Sequence, residues 1–126
     1  MSVCHSTSLV LEDGALCYYG PQDAHWRVPL DAIRVLGELR SSALEHGHYL
    51  AVVIDDSGAW LQCPCIAVGV HETLRELAGR WGVPLDLRLG TATPDASRVL
   101  WPEQLAGQEM FTTDASGRVE LRGVLL

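Results

Sequence analysis

The stretch "DAIRVLGELRSSALEHG" (Asp31–Gly47) decides the fold, because it reads equally well in two periodicities. As a helix it starts at Asp31 as N-cap and stacks Ile33, Leu36 and Leu39 on one stripe. As a strand it sets Ile33 with Val35, turns Arg34 and Glu38 outward, and uses Gly37 as a bulge. Gly37 weakens either reading, and the two patterns count about equally.

The flanking segments are clearer. Upstream, "STSLVLEDGALCYYG" reads as a β-hairpin. Leu9 and Leu11 alternate with Ser8, Val10 and Glu12, Asp13-Gly14 offers a type I′ turn, and Ala15–Tyr19 returns. "HWRVPL" follows as a short strand with Trp26 and Val28 on one side, and Pro29 assigns it to an edge or a strand end. Downstream, Tyr49–Ile54 is apolar and β-branched, Asp56-Ser57-Gly58 turns the chain, and Ala59–Cys63 returns as a hairpin partner. "VHETLRELAGRWG" is a helix, with Val70, Leu74, Leu77, Ala78 and Trp81 in one apolar stripe. Glu72 and Arg80 suit its two ends, and Gly82 caps it. "VPLDLRLG" then alternates Val83, Leu85, Leu87 and Leu89 against Asp86 and Arg88 as a half-buried strand. A final hairpin is predicted around "DASG" (Asp114–Gly117). Antiparallel strands followed by a helix indicate an α+β fold rather than alternating α/β. There is no internal repeat, low-complexity tract or linker, so 1–126 reads as a single domain.

With these elements in place, the chain resembles a bacterial pleckstrin-homology-like (PH-like) domain. "WRVPLDAIRVLGE" (Trp26–Glu38) is similar to that family's "xxIPLxxIxxV" phrase, "YLAVVIDDSGAWLQCP" (Tyr49–Pro64) to its acidic-turn hairpin, and "HETLRELAGRWG" (His71–Gly82) to its helix. The resemblance covers about residues 7–82 and favours the strand reading of Ile33–Arg40. It implies a bent antiparallel meander or partly open barrel with the helix across one end, and a role as a binding scaffold. Residues 83–126 lie outside the pattern and are expected to add strands. Lipid-headgroup binding is not carried over, because "EDGA" (Glu12–Ala15) is acidic where a phosphate reader needs Lys or Arg.

Composition narrows the classes. The chain has 126 residues, 48% hydrophobic and 20% charged, with a formal charge of −7, enough for one core without disulfide staples. All nine basic residues are arginine, and they are scattered from Arg27 to Arg122. Nucleic-acid binding needs a concentrated cationic surface, which is missing. No apolar run has the roughly 18–20 residues of a membrane span, and the start lacks a secretory pattern. The expectation is a cytoplasmic protein with reduced cysteines.

The candidate chemistry centres on Cys63 and Cys65, which share a face if extended. Zinc needs further ligands, to be drawn from Cys4, Cys17, His5, His46, His48 or His71, and no spacing recommends a set. An activated thiol would want the helix N-terminus or His71 nearby. The plain reading is two small core residues at a strand end, where Pro64 stops pairing. His46-Gly47-His48 reads as a solvated turn. Asp55 and Asp56 read as turn formers rather than calcium ligands. Trp101, before Pro102, is a candidate interaction anchor, as are the terminal Val124, Leu125 and Leu126, which either close a sheet or meet another chain. No phosphate loop or dinucleotide fingerprint is present. The resulting expectation is a non-enzymatic, protein-binding module without a cofactor, able to form a homodimer. The alternatives are a small acidic inhibitor or immunity-type protein for a basic partner, and a zinc- or thiol-dependent activity at Cys63 and Cys65.

Overall fold

The computed structural model describes residues 7–21, 24–41, 47–89, 96–113, 116 and 119–122. Strands β1 (Ser8–Glu12), β2 (Ala15–Tyr19) and β3 (His25–Pro29) form an antiparallel meander. Its first turn places Asp13 at φ 50° and Gly14 at φ 74°, the two positive values that a type I′ hairpin requires. Proline closes β3, an edge strand, where its missing N–H costs no ladder bond.

After one 3-10 turn at Leu30–Ala32, the decisive segment becomes strand β4 (Val35–Arg40). Strands β5 (His48–Val53) and β6 (Leu61–Pro64) follow, then helix α1 (Val70–Trp81). Glycines in the left-handed region bound the helix, Gly69 at φ 86° and Gly82 at φ 69°. At Gly69 a side chain is also excluded by space, since a Cβ would lie 2.6 Å from the Leu9 carbonyl oxygen.

The tail supplies β7 (Ala96–Trp101), which crosses back to pair with β4, giving a four-stranded antiparallel sheet of order β6-β5-β4-β7. The register between β4 and β7 shifts between Leu36 and Gly37, where the sequence suggests a bulge. There is no room for a larger residue: a Cβ on Gly37 would lie 2.3 Å from Met110 Sδ and 2.8 Å from the Arg98 carbonyl oxygen. Strands β8 (Phe111–Thr113) and β9 (Val119–Leu121) form the last hairpin.

The central sheet is covered on both faces. Leu36, Leu50, Val52, Cys63 and Leu100 pack with Leu9, Leu16, Val28 and the Val70, Leu74, Leu77 stripe of α1. On the opposite face Val35, Leu39, Ala51, Val53 and Val99 pack with Met110, Phe111 and Leu121. Successive strand residues point to opposite faces, so a strand buried on both sides is apolar throughout, as β5 is.

Three expectations change here. Glu38 does not face solvent; it is 0% exposed, because β4 lies inside a sheet covered twice. Val83–Leu89 keeps its alternation of burial but forms no strand: its Arg88 and Leu89 amides go to a side chain and its Val83 amide to the end of α1. The expected bent meander or partly open barrel is found only in its coarser form, antiparallel strands that divide into three sheets among the described residues. The coarser α+β reading stands: antiparallel strands with one α-helix among the described residues.

Candidate functional site

The two conspicuous cysteines sit deep in the molecule. Cys63, fully buried, and Cys65, 7% exposed, are free thiols in the first core. Burial pushes the Cys63 thiol up to about 12. Burial, then the neighbouring Glu38 carboxylate and Cys63, push Cys65 higher still. Both effects keep the thiols protonated at neutral pH, the opposite of an activated nucleophile. Among the described residues, no three His, Cys, Asp or Glu side chains converge as a metal would require. His71 stands exposed on the first turn of α1. Cys4, His5 and His46 lie outside the described residues.

Other expectations find definite places. His48 is the first residue of β5 instead of part of a solvated turn, and its Nε2 lies 2.9 Å from Glu38. Asp55 accepts bonds from the Ser57 amide at 2.9 Å and hydroxyl at 2.6 Å, an Asx-type turn. Those bonds lower its pKa. Trp101 is half-buried and stacked on Trp81, ring centroids 4.3 Å apart at 21°. Val124, Leu125 and Leu126 lie outside the described residues.

The most heavily bonded group was missed by sequence reading. Glu38 Oε1 accepts from His48 Nε2 at 2.9 Å and the Leu89 amide at 3.1 Å. Oε2 accepts from Arg98 Nη2 at 2.7 Å and Nε at 3.1 Å. The Arg88 amide reaches both oxygens, at 2.9 and 3.2 Å. Arg98 Nη2 also donates to the Asp86 carbonyl oxygen. Burial alone would raise the Glu38 pKa; the bonds from His48, the two amides and Arg98 outweigh it and hold the carboxyl below its ordinary value. An ionised carboxylate with its lone pairs answered and a cation beside it is the one form in which such a group can be buried cheaply. The available signal was Leu36, which shares a strand face with Arg34 and Glu38. An apolar residue there, with Val35 and Leu39 opposite, marks both faces as covered.

A second region lies at the surface. Among the described residues four large hydrophobic side chains are exposed, and two of them, Tyr19 and Val68, flank Ser8 at the start of β1, with a third, Ile66, two residues before Val68 in the chain. Ser8 pairs with Tyr19 across the antiparallel ladder and with Val68 through a parallel bridge. Directly paired residues share a face, so Tyr19 and Val68 project together on the side away from Leu9 and the core. The backbone beneath is fixed: the Leu9 amide donates to Val68 O at 2.9 Å, and the Val68 amide to Thr7 O at 2.8 Å. Thr73 Oγ1 of α1 donates to Leu9 O at 3.0 Å. Tyr19 donates to Glu12 Oε1 at 2.7 Å, and this bond, with lesser effects of burial and charge, raises the phenol to about 12. Under the same face Cys17 is 1% exposed, with Arg27 Nη1 3.3 Å from its sulfur.

Compared with known protein families, characterised proteins and solved structures, the chain has no significant match. No described helix is long and apolar enough to cross a membrane. Neither region is therefore assigned by likeness, and each rests on its own geometry.

Proposed function

We propose that the protein is a non-enzymatic protein-binding module, and that it docks a basic partner through the outward face of β1–β3 and the adjoining residues 66–68. The observation that carries this reading is the exposure of Tyr19 and Val68 on either side of Ser8, with exposed Ile66 in the adjoining segment. Ile66 is 72% exposed and Val68 62% exposed. Grouped apolar side chains on an ordered edge mark contact surfaces, whereas single ones do not. The charge of −7 favours a positively charged partner and opposes the approach of a second copy, which would bring like charge together. An acidic inhibitor of a basic protein is one member of this class. The succession of three antiparallel strands, three more strands and a helix supports a PH-like scaffold for this role, with β7 inserted beside β4 as a departure from that pattern.

A photo-crosslinking residue placed at Val68 in the full chain tests the reading. A discrete basic protein captured from position 68, but not from the exposed helix position Arg80, is the expected result. The capture is expected to disappear in Ile66→Asp. Equal capture from both positions, or capture that survives Ile66→Asp, overturns it. Sedimentation over a range of concentrations separates the homodimer: a weight-average mass that doubles, and returns to one chain in Ile66→Asp, assigns the patch to self-association instead.

A further inference from the structure

We propose that residues 83–89 form a strap that detaches as a unit when Glu38 loses its charge, opening the groove the strap makes with α1. The strap follows Gly82 without regular secondary structure and belongs to no sheet. Its amide at Val83 stays with the helix end, donating to Ala78 O at 3.3 Å. Beyond that point the polar attachments converge on one carboxylate. The Arg88 and Leu89 amides donate to Glu38 directly, and the Asp86 carbonyl is held by Arg98, itself bonded to Glu38. The apolar attachment is thin: Leu85 is buried, Val83 and Leu87 only partly, and Pro84, Asp86 and Arg88 face solvent. A groove of about 300 Å³ runs between the strap and His71, Leu74, Arg75 and Ala78 of α1.

The dependence on charge follows from the donor set. Glu38 is met by His48 from β5, by Arg98 from β7, by the Arg88 and Leu89 amides of the strap, and by the Cys65 thiol from the connection before α1. The bonded groups are N–H donors, so only an acceptor-only carboxylate answers them all. A protonated carboxyl, or the amide of Gln, turns a donor of its own toward them. The elements β4, β5 and β7 retain their ladders in that event; the strap has no other polar anchor past Val83 among its described bonds. Segments with few buried contacts and few independent bonds open locally, ahead of the global transition. Because the Glu38 pKa is held below its ordinary value, the strap stays closed through neutral and mildly acid pH and is released only as pH falls through that lowered value.

Hydrogen exchange and trypsin on the full chain, wild type beside Glu38→Gln at neutral pH, read this directly. The expected result is at least tenfold faster exchange at residues 85–89 and new cleavage after Arg88, with the amides of β5 and α1 accelerated clearly less. Acceleration spread evenly over β5, α1 and the strap overturns the proposal, as does a strap rate that does not change. If Glu38→Gln fails to fold, wild-type exchange in increasing denaturant decides. Strap amides that open at lower denaturant than those of β5 support the unit, and coincident opening overturns it.

Discussion

The β1–β2–β3 meander and the sheet around β4 are built from similar strands but bury different numbers of faces. In the meander, Leu9, Leu16 and Val28 turn inward, while Glu12, Tyr19, His25 and Arg27 face water. In the central sheet both sides are core, and the one carboxylate on β4 is enclosed with them. The same residue type therefore has two meanings. Glu12 is a surface acceptor for a tyrosine; Glu38 is the shared partner of β5, β7 and the strap.

Replacing each carboxylate is the sharpest way to break that comparison. Glu38→Ala leaves Arg98 without its counter-charge and the strap amides without acceptors, a class of change that costs about 3–5 kcal/mol. Glu12→Ala, on the outward face, is expected to leave the denaturation midpoint nearly unmoved. Similar shifts for the two would show that Glu38 is not enclosed as described. Acid removes the same stabilisation. With the Glu38 pKa below the ordinary 4.5, its contribution is complete above that value and is lost as pH falls through the lowered one. Wild type is expected to lose stability more steeply than Glu38→Gln below pH 4.5, measured by urea melts across the acid range. Parallel curves would remove Glu38 from the acid response.

Smaller effects refine the contrast. Gly37→Ala sets a methyl against Met110 Sδ and the Arg98 carbonyl; the overpacking costs about 1–3 kcal/mol, seen as a lower midpoint. An unchanged midpoint would mean that β7 is free to shift at the bulge. At the low end, Glu76→Ala breaks an exposed pair with Arg80, 3.4 Å apart on the solvent face of α1. Such pairs contribute about 0.2–0.5 kcal/mol, and adding salt is expected to erase the difference.

What the sequence disclosed follows the same division. The β1–β2 hairpin and α1 were legible because their signals are local: Asp13-Gly14 between alternating residues, and an apolar stripe ending at Gly82. The surroundings of Glu38 were not, because its partners stand at positions 48, 88, 89 and 98, and nothing local announces them. Val83–Leu89 gave its alternation correctly but not the destination of its amides. Cys63 and Cys65 drew attention as chemistry, while Ile66 and Val68 beside them, apolar in sequence and exposed in the fold, did not. Hydrophobicity patterns report which residues can be buried; they do not report which of them the sheet order leaves outside.

The return of β7 to β4 also has a consequence for how the chain is made. During synthesis β4, β5, β6 and α1 emerge well before Arg98 and the strap. Until then Glu38 lacks its guanidinium and its two amides, and β4 is left as an unpaired edge of the central sheet. A nascent chain ending at Gly82 would have to shut a carboxylate into a core that has not yet delivered its cation, or leave that core open to water. The stretch that most resembles a small fold therefore lacks the partners of Glu38 until residues 88–98 have been made.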